Sequence, residues 1–183
     1  MLVTISGEPG SGKTTVARLL ATHLGVPHVY AGDFFRQEAQ RRGLSLAAFN
    51  LLCEADHSID RGLDDTMARR AHEGNVVLEG RLAGYIARQE KLDALKVWLT
   101  ASEDVRAQRV AEREGEDWRE VLRVNQERHE SDSKRYFDIY GWQLGDTDIY
   151  DLVLSTDDQT PEALAQRLAA EARRHFARAG RSA

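Results

Sequence analysis

Residues Gly7-Glu8-Pro9-Gly10-Ser11-Gly12-Lys13-Thr14 have the spacing G-x-x-x-x-G-K-[ST], with Thr15 directly after. Chemistry on a phosphate chain asks for this pattern. The glycines let backbone N–H groups close around phosphate oxygens, and a helix starting at the end of the loop adds its positive end. Lys13 reaches the β- and γ-phosphates, and Thr14 offers a hydroxyl to Mg²⁺. A short β-branched run, Leu2–Ser6, precedes the loop, and apolar residues at helical spacing (Val16, Leu19, Leu20, Leu24) follow it. Residues 7–15 are therefore expected to bind a nucleoside triphosphate.

A phosphoryl transferase also needs a second anion pocket, and arginines are its usual builders. Arg36 follows Ala31-Gly32-Asp33 just after a second strand, and Glu79-Gly80-Arg81 ends the run Val76-Val77-Leu78. At the carboxyl ends of parallel strands these side chains begin near a ligand crevice. Arg36 also suits a solvated first turn, and Glu79 beside Arg81 also suits a plain ion pair. As functional groups, Glu79 orients Mg²⁺ through water and Arg81 clamps an acceptor phosphate. Arg106, Arg109 and Arg113 are spaced i, i+3, i+7, and Arg128, Asp132 and Arg135 are spaced i, i+4, i+7, so each set shares a helix face. A turn at Glu114-Gly115-Glu116 is short enough for both rows to meet one triphosphate.

The elements that carry these residues alternate. Strand candidates are Leu2–Ser6, Val26–Tyr30, Asn75–Glu79, Leu95–Thr100 and Leu152–Leu154. Helical patterns cover Thr14–Leu24, most of 33–74 with breaks at Gly43 and His57-Ser58, Tyr85–Glu90, Ser102–Glu114, Trp118–Tyr140 and a last stretch opened by Pro161. Ala179–Ala183 reads as a frayed tail. Strands separated by helices predict an α/β fold, a five-stranded parallel sheet flanked by helices on both faces.

Composition sets the class. The chain has 183 residues, 42% hydrophobic and 30% charged, which suits one domain over 1–183. Lysine plus arginine is 25 against 30 acidic residues, a net charge of −5, which argues against a duplex-binding protein. Cys53 is the single cysteine, so no internal disulfide forms, and the six histidines lack metal-ligand spacing. With no long apolar run, the expectation is a cytoplasmic monomer acting on small molecules, without membrane or nucleic-acid partners. Cys53, Trp98, Trp118, Tyr136 and Tyr140 read as packing residues. No N-K-x-D guanine reader occurs.

Taken together, GEPGSGKTTVA at 7–17, AGDFFR at 31–36, LEGRLAG at 78–84, WLTASEDVRAQRVAEREG at 98–115, ERHESDSKRYFDIYG at 127–141 and YDLVLST at 150–156 resemble the nucleoside monophosphate kinases, closest to short, archaeal-type cytidylate kinases. The resemblance implies a P-loop kinase using ATP and Mg²⁺ to phosphorylate CMP and dCMP, with an acceptor-binding segment over 33–74 and a lid over 106–128. It implies that Arg36 and Arg81 clamp the acceptor phosphate and that Arg128, Asp132 and Arg135 meet its sugar and phosphate. Arg109 and Arg113 fall where lid arginines approach the donor, and Lys13, Arg81, Arg109 and Arg128 form the catalytic set. The chain departs from the longer bacterial forms at Ala31, where they have serine, and at Leu82, where they have the aspartate that reads cytosine. They also carry an insert missing here. Base reading is therefore expected from Asp33 and from Asp60-Arg61 with Asp64-Asp65. Adenylate kinase and a P-loop ATPase or switch module acting on RNA or protein remain open alternatives.

Overall fold

The computed structural model describes residues 1–179; residues 180–183 of the expected tail lie outside them. In chain order the elements are β1 (Leu2–Gly7), α1 (Lys13–Leu24), β2 (His28–Tyr30), α2 (Ala31–Arg41), α3 (Leu46–Ala55), α4 (His57–Glu73), β3 (Val76–Glu79), α5 (Ala83–Gln89), β4 (Leu95–Thr100), α6 (Glu103–Glu114), α7 (Trp118–Tyr140), β5 (Leu152–Ser155) and α8 (Pro161–Ala179). The five strands form one sheet in the order β2-β3-β1-β4-β5, and each neighbouring pair is parallel. The predicted elements all form. The clearest shift is α2, which starts at Ala31 directly on β2, so Asp33 stands in its first turn.

The sheet is covered on both faces, as its nearly continuous apolar strands require. Val3, Ile5, Val77, Val97, Leu99 and Leu154 face one layer with Val16 and Leu20 of α1 and Leu164 and Leu168 of α8. Leu2, Val76, Leu78 and Trp98 face the other, with Met67 of α4, Ile86 of α5 and Tyr150. Trp98 is thus core, as expected. No described helix is long and apolar enough to cross a membrane.

Helix ends follow local chemistry. Ser45 and Asp56 cap α3 and α4 by accepting from Ala48 N and Ser58 N, and Asp117 caps α7 by accepting from Arg119 N. Gly115 closes α6 at φ 73°, a left-handed position that costs glycine little. Helices α2, α3 and α4 share a small core of their own, Ala39, Phe49, Cys53 and Ile59, apart from the sheet. Burial pushes the Cys53 thiol up to about 11, consistent with an inert core group.

That separation gives a test. Phe49→Ala should cost about 3–5 kcal/mol of local packing. Hydrogen exchange should then speed up across residues 31–73 more than in β1 and β4; equal acceleration in the sheet would contradict a separate core in α2–α4.

Candidate active site

Strand β1 lies mid-sheet and ends in the glycine loop, so the loop sits where the chain leaves for opposite sides of the sheet. Gly10 and Gly12 take φ of 79° and 80°. A Cβ at Gly10 would lie 2.3 Å from the Arg106 carbonyl oxygen, so only glycine fits there. Helix α1 begins after Gly12 with no side-chain cap and no acid in its first turn, leaving its first N–H groups for an anion. Lys13 Nζ donates to Glu8 O across the loop at 2.7 Å. Burial lowers its pKa to about 8, against the opposing pull of Glu79.

Glu79 is 0% exposed at the end of β3. Thr14 donates from Oγ1 to its Oε1 at 2.6 Å, and His28 Nε2 lies 2.8 Å from its Oε2. This juxtaposition of Thr14 and Glu79 is an oxygen-only donor pair at the mouth of the phosphate loop. Such a pair suits a hard cation that keeps several waters and also takes phosphate oxygens. The described residues hold no cluster of three His, Cys, Asp or Glu side chains fit for a metal.

Two residues further on, Arg81 turns to the other side of the site. Its guanidinium is 10% exposed and in ion contact with Asp132 of α7, which is 3% exposed. Arg81 Nη1 makes that contact, and its buried Nη2 has no hydrogen-bond partner within the protein. Arg135 Nη2 donates to Asp132 Oδ1 at 2.8 Å, and its Nε lies 2.9 Å from Asp60 Oδ2 of α4. Arg128 Nε stands 3.8 Å from Asp132 Oδ2. Burial first, then the charge of Arg81, lowers the Arg128 pKa, as expected where cations gather without enough counter-charge.

The structure separates the two helical arginine rows. On α6, Arg109 donates to Thr156 Oγ1 and Thr156 O, both at 2.8 Å, and Thr156 Oγ1 in turn donates to Ser11 O at 3.2 Å. Arg109 thus braces the loop against the end of β5. The α7 row joins Arg81 at Asp132, while Arg106 of α6 and His129 of α7 both reach Glu8 of the loop, at 3.9 and 3.1 Å. Arg113, expected beside Arg109 at the donor, is 67% exposed in the last turn of α6 and pairs with Glu114.

The acceptor-side acids also sort by helix face. Asp60 is buried, and Asp64, one turn on, accepts from Tyr140 Oη at 2.7 Å. Arg61 and Asp65 are exposed, because each lies about 100° around the helix from the inward acid before it. The structure leaves Arg61 at the surface rather than among the inward acids. Asp33 pairs with Arg36 at 2.7 Å in a half-exposed bridge, and Arg36 lies 5.0 Å from the Tyr30 ring centre. Tyr140, expected only to pack, stacks on Trp142 at 4.3 Å and also holds Asp64. Sequence spacing alone missed Thr156 and His28; both need the strand order to be seen beside the loop.

A central glycine loop with Lys13 and Thr14, opposite the buried Arg81 and Arg135 and the half-exposed Arg128, defines a P-loop phosphotransferase. The chain belongs to the cytidylate kinase-like family, which it matches over residues 2–158. It is 48% identical over 163 residues to a cytidylate kinase of Methanopyrus kandleri, covering 85% of this chain and 84% of that one. Against a cytidylate kinase of Pyrococcus horikoshii it is 43% identical over 164 residues, covering 90% and 84%. Among solved structures, a protein from Eubacterium ventriosum superposes with a TM-score of 0.70 at 21% identity, covering 93% of this chain and 97% of that one. A shikimate kinase from Acinetobacter baumannii in complex with shikimate superposes with 0.56 at 16% identity, covering 91% and 89%. These two likenesses establish the fold.

Asp64 supplies a test of the electrostatics. Burial pushes its pKa up to about 7, opposed by the Tyr140 hydrogen bond and Arg135 and reinforced by Asp60 and Asp65. The native state then holds a proton that the unfolded chain releases near pH 4. The resulting stability is complete below that pH and is lost as pH rises through about 7. Asp64→Asn stays neutral, so its melting temperature should gain on the wild type between pH 5 and pH 8. Parallel melting curves across that range would contradict the assignment.

Proposed function

We propose that this chain transfers the γ-phosphoryl group of ATP to the phosphate of CMP, and of dCMP, in a Mg²⁺-dependent reaction. The observation that carries the reading is the segment Glu79-Gly80-Arg81. Its first residue faces Thr14 on the donor side, and its third faces Asp132 on the acceptor side. Two anion-binding surfaces are thereby held two residues apart on one strand end. The cytidylate kinase relatives support CMP as the acceptor.

In this reading the loop N–H groups and Lys13 hold the β- and γ-phosphates of ATP. Thr14, with Glu79 through water, holds the metal ion, which when bound neutralises charge on those phosphates. Arg81, Arg128 and Arg135 hold the acceptor phosphate, Asp132 orients them and meets the sugar, and Arg36 closes the pocket from α2. The acceptor oxygen is already anionic, so in-line attack on phosphorus needs no strong base and no covalent enzyme intermediate. Positioning and charge neutralisation carry the rate. The segment 106–128 acts as a lid whose closure excludes water and limits wasteful hydrolysis.

The base end falls to Asp64 rather than to Arg61. Cytosine presents an amino donor beside a ring-nitrogen acceptor, and a protonated carboxyl offers the matching acceptor and donor. A carboxyl with a pKa of about 7 takes that form readily.

One coupled assay with ATP over CMP, dCMP, UMP, AMP and GMP tests the function. CMP should exceed UMP by roughly 100-fold in kcat/KM, and Lys13→Ala should lose several powers of ten in rate. Asp64→Asn, which keeps one donor and one acceptor, should retain the preference, whereas Asp64→Ala should lose it. A preference for AMP would point to adenylate kinase activity. ATP consumption without any monophosphate, stimulated by RNA or a protein, would replace the reading with an ATPase module.

A further inference from the structure

Glu79 carries a second contact that the phosphate and acceptor groups leave unexplained. Thr14 Oγ1 donates to Oε1 at 2.6 Å, and the His28 tautomer with its proton on Nε2 donates to Oε2 at 2.8 Å. Each oxygen of this fully buried group thus has one side-chain donor. The imidazole reaches it by strand register. Tyr30 pairs with Glu79 and His28 with Val77, so His28 and Glu79 are diagonal neighbours on one sheet face. The Tyr30 ring lies parallel to the imidazole, 6.3 Å between centres and 11° from coplanar, and His28 is 16% exposed.

The two donors differ in what nucleotide binding does to them. Once the Thr14 hydroxyl turns toward a metal ion, Glu79 Oε1 loses its protein donor and is free to accept from a metal-bound water. The His28 bond on Oε2 need not change. It then becomes the contact that keeps the buried carboxylate from rotating away from the site, since an unpaired buried charge is costly.

We propose that His28 is the positioning residue of the donor site, fixing Glu79 so that its Oε1 edge faces Thr14 and the metal position. The inference rests on the donor half of the proposed function and is independent of which nucleotide is the acceptor. Residues that orient a metal site from one shell out typically change affinity or activity 10–100-fold when lost. The effect here should be confined to metal-dependent binding and turnover.

Calorimetry on the full chain with the non-hydrolysable β,γ-imido analogue of ATP, in Mg²⁺ and again in EDTA, tests this. Wild type, His28→Ala and His28→Gln are compared, with thermal melts as a check on folding. His28→Ala should lose about tenfold of the affinity gained from Mg²⁺, while its affinity in EDTA stays within roughly twofold of wild type. Its kcat with CMP should fall by a similar or larger factor, with KM for CMP little changed. His28→Gln, whose side-chain amide can donate to the same oxygen, should recover most of both losses. The proposal is overturned if His28→Ala keeps the Mg²⁺-dependent gain. It is also overturned if affinity in EDTA falls by the same factor, or if His28→Gln is as impaired as His28→Ala. Failure of the wild type to phosphorylate CMP, with the binding pattern intact, overturns the acceptor assignment and leaves His28 in its role.

Discussion

A single buried carboxylate organises the arginine cluster beside the phosphate loop. Asp132 is 3% exposed, and Arg81, Arg128 and Arg135 all turn toward it. Burying a charge is costly unless it is paired, and crowding guanidiniums is costly unless a negative group lies among them. The geometry answers both demands at once. Asp60 adds a second carboxylate on Arg135, and Asn50 accepts from Arg135 Nη1 at 3.2 Å. Three guanidiniums against two carboxylates leave an excess of positive charge, the condition the proposed acceptor-phosphate site needs. The same contacts draw α3, α4, α7 and the end of β3 to one point, so the pocket is shaped by the charges it presents.

That point is tied to the phosphate loop by very little chain. Glu79 and Arg81 flank Gly80, where a Cβ would come within 2.9 Å of Ala31 Cβ. The crowding brings α2 down onto the strand end and keeps the donor-facing and acceptor-facing side chains close together. On the far side, Arg109 and Thr156 fasten the loop to β5. The loop is therefore held from both flanks before any nucleotide arrives. Such preorganisation is the main resource a phosphoryl-transfer enzyme has, since the protein contributes little covalent chemistry.

Much of this was legible in the sequence because it depends on local periodicity. The strand runs, the glycine loop and the ends of α7 follow from apolar spacing, Gly and capping residues. Arg81 and Asp132 could be assigned together only through the family resemblance. What stayed hidden depends on rotation and on strand order. Asp60 and Arg61 are adjacent in the chain yet face pocket and solvent, because a helix turns about 100° per residue. Arg113 follows Arg109 by one turn, yet Arg109 bonds the loop at Gly10 O while Arg113 pairs with its neighbour Glu114. His28 and Thr156 come from β2 and β5, the two edge strands, and spacing alone does not say which strand ends meet the loop.

The central claim is that the phosphate loop and the Asp132-centred arginines are two halves of one continuous phosphate-binding surface. Adenosine and cytidine joined by five phosphates span both halves in one molecule, and calorimetry of its binding measures the claim directly. If the halves face one another, linking should bring the second binding event within the molecule, and the compound should bind at least roughly 100-fold tighter than ATP or CMP alone. Affinity no greater than that of ATP alone would show that the two halves do not act on one phosphate chain, and would contradict the account.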